Sequence, residues 1–361
     1  FVESRKEGTP LVIKFGIDPT GPDIHIGHAV SLLMLRRFQE MGHEVKLLIG
    51  DFTAQVGDPS GKNSEREAIS KSQIASNMEQ YLEQAGKILD LNASNVEVVY
   101  NSAWLEKIPF TDWLQLSKKV NANQLAQRDY FKKRVESGQK VSLMEMCYPL
   151  LMGYDSVVMK PDVELGGADQ LVNLHWCREL MGLYKQKPET FVTVDILPGI
   201  SGAKDEDGKF KKMSKSLNNH IPLLDSPEDM YGKVMSIPDE LMWQWFKNLT
   251  EIRAKDLAEL KVNTENGNLH PRDVKRLLAR LVVASFNHNN LDVIKIAEES
   301  FDSKFGVDKQ IVPEDVEEIK VLEGDRLIDV LSNVSGESKS DLRKKINGIY
   351  ILKDNQYERS T

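Results

Sequence analysis

Leu11-Val12-Ile13-Lys14-Phe15-Gly16-Ile17 runs into Asp18-Pro19-Thr20-Gly21-Pro22 and then into His25-Ile26-Gly27-His28. The first part is a β-rich run closed by turn formers, so it reads as a strand entering a loop. Ile26 to Met41 then carries a helical pattern, with Val30, Leu33, Leu35 and Phe38 available for an apolar face and Gly42 as its stop. Glu44 to Gly50 holds the nearly continuous apolar run expected of a strand covered on both faces. A helical stretch over about Ser64 to Leu89 and the strand-like Val96 to Tyr100 complete a strand-helix-strand-helix-strand order. That order predicts an α/β fold with a Rossmann-like, doubly wound parallel sheet, whose ligands bind beyond the carboxyl ends of the strands. The segments after Ile17 and Ile49 are therefore where chemistry is expected.

Further along, residues 104 to 147 read as a helical insertion. The alternation is expected to resume with Tyr148 to Tyr154, Val163 to Leu165, a helix over about Asp169 to Gly182, and the β-rich Thr190 to Ile196. A polar Gly- and Lys-rich loop, Ser201 to Asn219, reads as mobile. From Pro227 to about Phe301 the periodicity is helical throughout, which places a domain boundary near 222. The last stretch changes character again: Ser338-Lys339-Ser340-Asp341 could cap a helix carrying Arg343, Lys344 and Lys345, followed by a turn and the strand-like Ile349 to Leu352. The expected units are residues 1–222, 223–318 and 319–361.

The chain has 361 residues, room for two to three domains at roughly 150 residues each. With 40% hydrophobic and 28% charged residues, it has the composition of a globular protein. The formal net charge is −8, so the molecule as a whole repels a polyanion and would need local basic patches to hold one. Cys147 and Cys177, the only cysteines, lack the spacing of a disulfide framework or zinc site, and a reducing cytoplasm is the simplest reading. No apolar run approaches the ~18 residues of a membrane span, and residues 1–8 lack the apolar centre of a signal peptide. Because the chain starts at Phe1 rather than Met and its tail looks short, further sequence is expected before and after it.

Two stretches carry chemistry. His25-Ile26-Gly27-His28 opens a helix with imidazoles three residues apart on one face, at an N-terminus that already favours anions. Gly27 between them leaves room for a flat ring or a phosphate. For His-x-x-His alone, a pair of surface or capping histidines is the commoner explanation. Lys212-Met213-Ser214-Lys215-Ser216 places two lysines three apart in a loop, able to close over a polyphosphate. A solvated basic loop is the usual alternative. Both stretches in this order make the pair much harder to dismiss.

Together these stretches resemble the HIGH and KMSKS signatures of class I aminoacyl-tRNA synthetases. The sequence between them is similar to the bacterial tyrosyl branch. The resemblance rests on Phe15-Gly16-Ile17-Asp18-Pro19-Thr20, on Gly57-Asp58-Pro59-Ser60-Gly61-Lys62 with Arg66, on Tyr148 and Asp155 in a Tyr-x-x-x-Gln-x-x-Asp pattern, and on Gly166-Gly167-Ala168-Asp169-Gln170. It runs from about Leu11 to the C-terminus, weakening after 320, where the tail looks like a shortened S4-type RNA-binding module. The implied architecture is a catalytic sheet domain, an α-helical anticodon-binding domain and a small α+β S4-like tail.

The resemblance implies attack by tyrosine's carboxylate on the α-phosphate of Mg·ATP, then transfer of the acyl group to tRNA(Tyr). Such chemistry needs positioning and charge rather than an enzyme nucleophile. By resemblance, Thr20, His25 and His28 hold the phosphates, with Gly27 under the adenine; Asp169 holds the ribose, and Met213 belongs to the same ATP site. Lys212 and Lys215, with Lys62 and Arg66, stabilise departing pyrophosphate. Asp58, Tyr148 and Gln170 hold the substrate ammonium, Asp155 accepts its phenolic hydroxyl, and Asp18 lines the same pocket. Lys339, Arg343, Lys344 and Lys345 would meet tRNA. No metal ligand set is expected beyond Mg2+ carried by ATP, and a homodimer is implied with Val120 to Val135 at its interface. The chain departs from the pattern at Met152, where Gln stands in the family, and carries Lys14 where one tyrosyl subgroup has tyrosine. Lys14 is expected to pair with Asp155. Met152 leaves an alternative open, a synthetase-like paralogue that activates a related amino acid for a non-tRNA acceptor.

Overall fold

Each strand of the central sheet is a short apolar run that ends in a turn, as the opening stretch predicts. The structure, a computed structural model, describes residues 8–59, 69–118, 120–305, 327–335, 338–339, 342, 350–353 and 356–359. In chain order come β1 (Val12–Ile17), α1 (Ile26–Glu40), β2 (Glu44–Ile49), α2 (Thr53–Val56), α3 (Lys71–Ala85) and β3 (Val96–Tyr100). Short helices follow: α4 (Ser102–Leu105), α5 (Phe110–Lys118), α6 (Ala122–Ala126) and α7 (Asp129–Glu136). Then α8 (Leu143–Met159), β4 (Val163–Gly167), α9 (Leu171–Leu183) and β5 (Thr190–Val194) complete the sheet. Its order is β3-β2-β1-β4-β5, every pair parallel. The chain reverses its direction of growth between β1 and β4, and that switch point opens a crevice at their carboxyl ends.

Helix boundaries follow local capping. Ser70 starts α3 by accepting from the Gln73 N–H at 3.2 Å. Residues 60–68, which include Lys62, Arg66 and the first part of the helix expected from Ser64, lie outside the described residues. Ser142 and Glu145 cap α8 reciprocally, Oγ accepting from Glu145 N at 3.2 Å and the carboxylate accepting from Ser142 N at 3.0 Å. Arg134 anchors that carboxylate at 2.7 Å with both groups buried. This cap starts α8 before Tyr148, so Tyr148 to Tyr154 is the middle of one long helix that begins within the stretch read as inserted. The loop Ser201 to Asn219 bonds to the segment before it: Met213 N donates to Leu197 O at 2.9 Å and Gly199 N to Lys211 O at 3.1 Å, and the Met213 side chain is buried.

Beyond the loop stand α10 (Pro227–Met235), α11 (Asp239–Leu249), α12 (Ala254–Glu265), α13 (Pro271–Phe286) and α14 (Leu291–Phe305). Ser226 and His270 cap α10 and α13, each with proline at the first helical position. One cluster of buried apolar side chains joins these helices to the sheet, from Ile13 and Leu47 through Tyr231 and Trp245 to Phe286. Each such buried side chain stabilises by about 1.5–3 kcal/mol relative to exposure, so the helices after 227 are packed against the sheet unit rather than tethered to it. Last come α15 (Leu327–Ser335) and an antiparallel pair, β6 (Tyr350–Lys353) and β7 (Gln356–Arg359). No helix among the described residues is long and apolar enough to cross a membrane.

Candidate active site

The crevice at the switch point is a cavity of about 410 Å3. The loop after β1 supplies Asp18, Thr20 and His25, and the first turn of α1 supplies Gly27 and His28; the end of β4 and the turn after it supply Gly166, Gly167, Asp169 and Gln170; the basic loop adds Lys212, Met213 and Ser214. Lys14, Asp58, Tyr148, Met152 and Asp155 line it as well. Residues scattered over about 200 positions of sequence thus meet in one place. The sheet causes this, because every parallel strand delivers its following loop to the same edge.

At the mouth, His25 and His28 stack with centroids 3.7 Å apart. The His25 N–H donates to His28 Nδ1 at 3.4 Å, so the pair caps the helix as well as facing the cavity. An accepting Nδ1 puts the neutral ring's proton on Nε2. Burial, then His28, His220 and the Lys215 charge, push the His25 imidazole down to about 2. Burial, then Lys215 and Lys212, push His28 down to about 4. Both are neutral hydrogen-bonding groups at pH 7. Gly27 lets the turn close: a Cβ there would meet His25 Nδ1 at 2.9 Å and Met213 Cβ at 3.4 Å. Lys212 Nζ stands 3.8 Å from the Asp169 carboxylate. Lys215 is not among the lining residues but pairs with Asp23 at 3.1 Å.

The inner end is a polar box. Tyr148 donates to Asp18 Oδ2 at 2.9 Å, and Thr53 donates to Asp18 Oδ1 at 2.7 Å. Gly50 makes that possible, since a Cβ there would stand 2.0 Å from Asp18 Oδ1. Gln170 donates to Asp58 at 2.9 Å, and Asn173 bonds Gln170 at 2.9 Å and Asp58 at 3.4 Å. Asp155 accepts from Trp104 Nε1 at 2.7 Å and Asn101 Nδ2 at 3.2 Å. Burial raises its carboxyl to about 7, against the lowering pull of Lys14, Trp104 and Asn101.

Lys14 does not ion-pair with Asp155 as expected. It pairs with Glu164 at 2.8 Å and donates to Ser156 Oγ at 2.8 Å. The register explains this: Lys14 on β1 lies directly beside Glu164 on β4, so the two side chains share a face. Glu164, Cys177 and Glu189 bring ligand-type atoms within 4.8 Å of one another, and the Lys14 ammonium sits against this group. Sequence reasoning missed Asn101, Trp104, Thr53, Asn173, Ser156, Glu164 and Glu189. Asn101 had a signal, since it follows β3 at the edge that carries chemistry; Trp104 had none. Of the basic tail residues, Lys339 is exposed and pairs with Asp329 at 2.7 Å. Arg343, Lys344 and Lys345 lie outside the described residues.

The crevice at the switch point thus combines paired neutral imidazoles and the Lys212 charge at its mouth with a box of carboxylates, amides and hydroxyls inside. Residues 6–302 match the family of class I tRNA synthetases (W and Y), and the chain belongs to that family. Within it, the chain is 45% identical over 317 residues to the tyrosine–tRNA ligase of Haemophilus influenzae, spanning 88% of this chain and 76% of that protein. In fold it is similar to a C-terminally truncated mitochondrial tyrosyl-tRNA synthetase from Aspergillus nidulans, with a TM-score of 0.64 and 22% identity over 80% of this chain and 84% of that one. It is also similar to the tyrosyl-tRNA synthetase of Archaeoglobus fulgidus complexed with L-tyrosine, with a TM-score of 0.60 and 20% identity over 83% of this chain and 92% of that one.

Proposed function

We propose that this chain is a tyrosine–tRNA ligase, which activates tyrosine with Mg·ATP and passes the tyrosyl group to tRNA(Tyr). The observation that carries this is the convergence, on one cavity, of the stacked His25–His28 pair, Lys212, and the inner box of Asp18, Asp58, Tyr148 and Asp155. Identity of 41–45% to curated tyrosine–tRNA ligases supports the choice of tyrosine.

In this reading tyrosine enters phenol first. Asp155 accepts the hydroxyl, while Tyr148, Asp58 and Gln170 take the ammonium and Asp18 orders Tyr148. The carboxylate is left facing the mouth, where ATP lies with its adenine on Gly27 beside Met213, its ribose on Asp169, and its phosphates on Thr20, His25 and His28. The neutral imidazoles donate from nitrogen without adding charge, and Lys212, Lys215, Lys62 and Arg66 supply the positive charge. The carboxylate attacks the α-phosphate in line, the bond to the bridging oxygen breaks, and pyrophosphate leaves with the charge that the lysines stabilise. The ribose hydroxyl of tRNA then takes the acyl group and AMP leaves.

The helices of residues 223–318 serve as an anticodon-binding domain and residues 319–361 as an S4-like module, with Lys339, Arg343, Lys344 and Lys345 against RNA; residues 1–222 are the catalytic domain. The enzyme works as a homodimer in a reducing cytoplasm. Val135, Leu143 and Phe110 are exposed apolar side chains on and beside the segment Val120 to Val135, as an interface requires. Met152, an apolar side chain in a polar box, favours one other reading, a paralogue for a related amino acid. Charging of a tRNA(Tyr) transcript with labelled tyrosine tests the proposal: esterification at the 3′ end is expected, and activation without charging would move the chain to that second reading.

A further inference from the structure

At the cavity floor, where Lys14 and Glu164 reach the lining, lies a cluster to which the mechanism above gives no step. Lys14, Glu164, Ser156, Glu189 and Cys177 come from β1, β4, α8, the residue before β5 and α9, and all are essentially inaccessible to solvent. The Lys14 ammonium meets Glu164 Oε1 and Ser156 Oγ, both at 2.8 Å. The Ser156 hydroxyl is 3.1 Å from Glu164 Oε2 and 3.3 Å from Glu189 Oε1. Ser156 directly follows Asp155 on α8, so what holds Ser156 also holds the turn carrying Asp155.

A buried ion pair is costly to desolvate and is commonly no more stabilising than an apolar pair of the same volume. Its position here gives it another use. We infer that the Lys14–Glu164–Ser156 cluster is a positioning device for the amino-acid pocket: it fixes the Asp155 turn and keeps a cation beneath it, and so sets the preference for a phenol over a plain phenyl side chain. This rests on the tyrosine reading above. Three carboxyl groups, Asp155, Glu164 and Glu189, share one lysine. The direct pair holds Glu164 ionised although burial opposes it. Burial and the Glu164 charge push the Glu189 carboxyl up, which favours its protonated form beside an ionised Glu164. The lysine's pull lowers Asp155 and the weaker repulsion from Glu164 opposes it, so the pair's net effect favours the charged carboxylate. A pocket with a buried acceptor rejects a ligand lacking the donor because that acceptor is left unpaired, and the penalty is larger when the acceptor is charged and fixed.

The test compares Lys14→Met/Glu164→Leu, which removes the pair without leaving a lone buried charge, with Ser156→Ala and the parent chain. Each is assayed for tyrosine- and phenylalanine-dependent ATP–pyrophosphate exchange between pH 5.5 and 9, with thermal melts alongside. The double variant is expected to lose about tenfold to a hundredfold in kcat/KM for tyrosine, the range expected if the charge-assisted hydrogen bond between the phenol and a displaced, more readily protonated Asp155 is weakened. Phenylalanine should be little changed, and the acidic limb of the tyrosine profile should move to higher pH. Ser156→Ala should move selectivity the same way by less, and it decides the matter if the double variant does not fold. Unchanged tyrosine-to-phenylalanine ratios and limbs in the folded variants would overturn the inference. A parent chain that does not prefer tyrosine would overturn the tyrosine reading and the inference with it.

Discussion

Trp104 Nε1 donates to Asp155 Oδ1 at 2.7 Å, bridging 51 residues of sequence and joining α4 to the buried floor of the cavity. Because Asp155 is raised to about 7 mainly by burial, this bond is one of the few forces keeping the carboxylate charged near neutrality. Trp104→Phe removes the donor and keeps most of the ring. Asp155 should then titrate higher, so activity that needs the carboxylate, already falling as pH drops through about 7, should begin to fall at higher pH. The expected loss at pH 7 is about 1–3 kcal/mol in kcat/KM for tyrosine, read from a pH series of exchange rates. An unmoved limb would mean that Asp155 is not the titrating group.

Lys215 rests on Asp23 at 3.1 Å, with both side chains partly exposed. Such a pair is worth at most about 1 kcal/mol, so a polyphosphate can displace Asp23. Lys215→Ala should slow tyrosyl-adenylate formation by roughly a hundredfold to a thousandfold while leaving tyrosine binding within about twofold. Single-turnover kinetics and equilibrium binding separate the two. A parallel loss in both would take the loop out of the chemical step.

Met152 lines the cavity beside a box otherwise made of carboxylates, amides and hydroxyls. Met152→Gln offers the ammonium one more neutral acceptor, so tyrosine should bind more tightly by about 0.5–1.5 kcal/mol. Calorimetric titration measures this directly. Weaker binding would indicate a pocket shaped around the thioether and would favour the paralogue reading.

The buried carboxyls Glu164 and Glu189 should respond oppositely to amide substitution. Glu164→Gln strands the Lys14 ammonium and should cost about 3–5 kcal/mol of stability. Glu189→Gln resembles the protonated acid already present and should cost less than about 1 kcal/mol. Chemical denaturation at pH 7 distinguishes them, and equal losses would contradict the assigned proton on Glu189.

Much of this site was legible because its residues follow strands. The run Leu11 to Ile17 announces β1, and a parallel sheet points to the segments after Ile17 and Ile49, which hold Asp18, His25, His28 and Asp58; Asp169 comes from the resemblance alone, and the structure brings it to the same edge after β4. What stayed hidden depends on register and tertiary approach. Lys14 looked like a partner for Asp155, yet its alignment with Glu164 in the β1–β4 ladder decides where its charge goes. Trp104 sits on a four-residue helix with no periodicity to announce it. The start of α8 was misjudged because the Ser142–Glu145 cap lies inside a helical stretch, where one more cap changes no pattern.

Tyrosine-dependent ATP–pyrophosphate exchange by the purified chain, run against phenylalanine and the other amino acids, tests the central claim most directly. The account predicts exchange with tyrosine well above every other amino acid, falling as pH drops below about 7. Equal or faster exchange with another amino acid, or none with any, would contradict it.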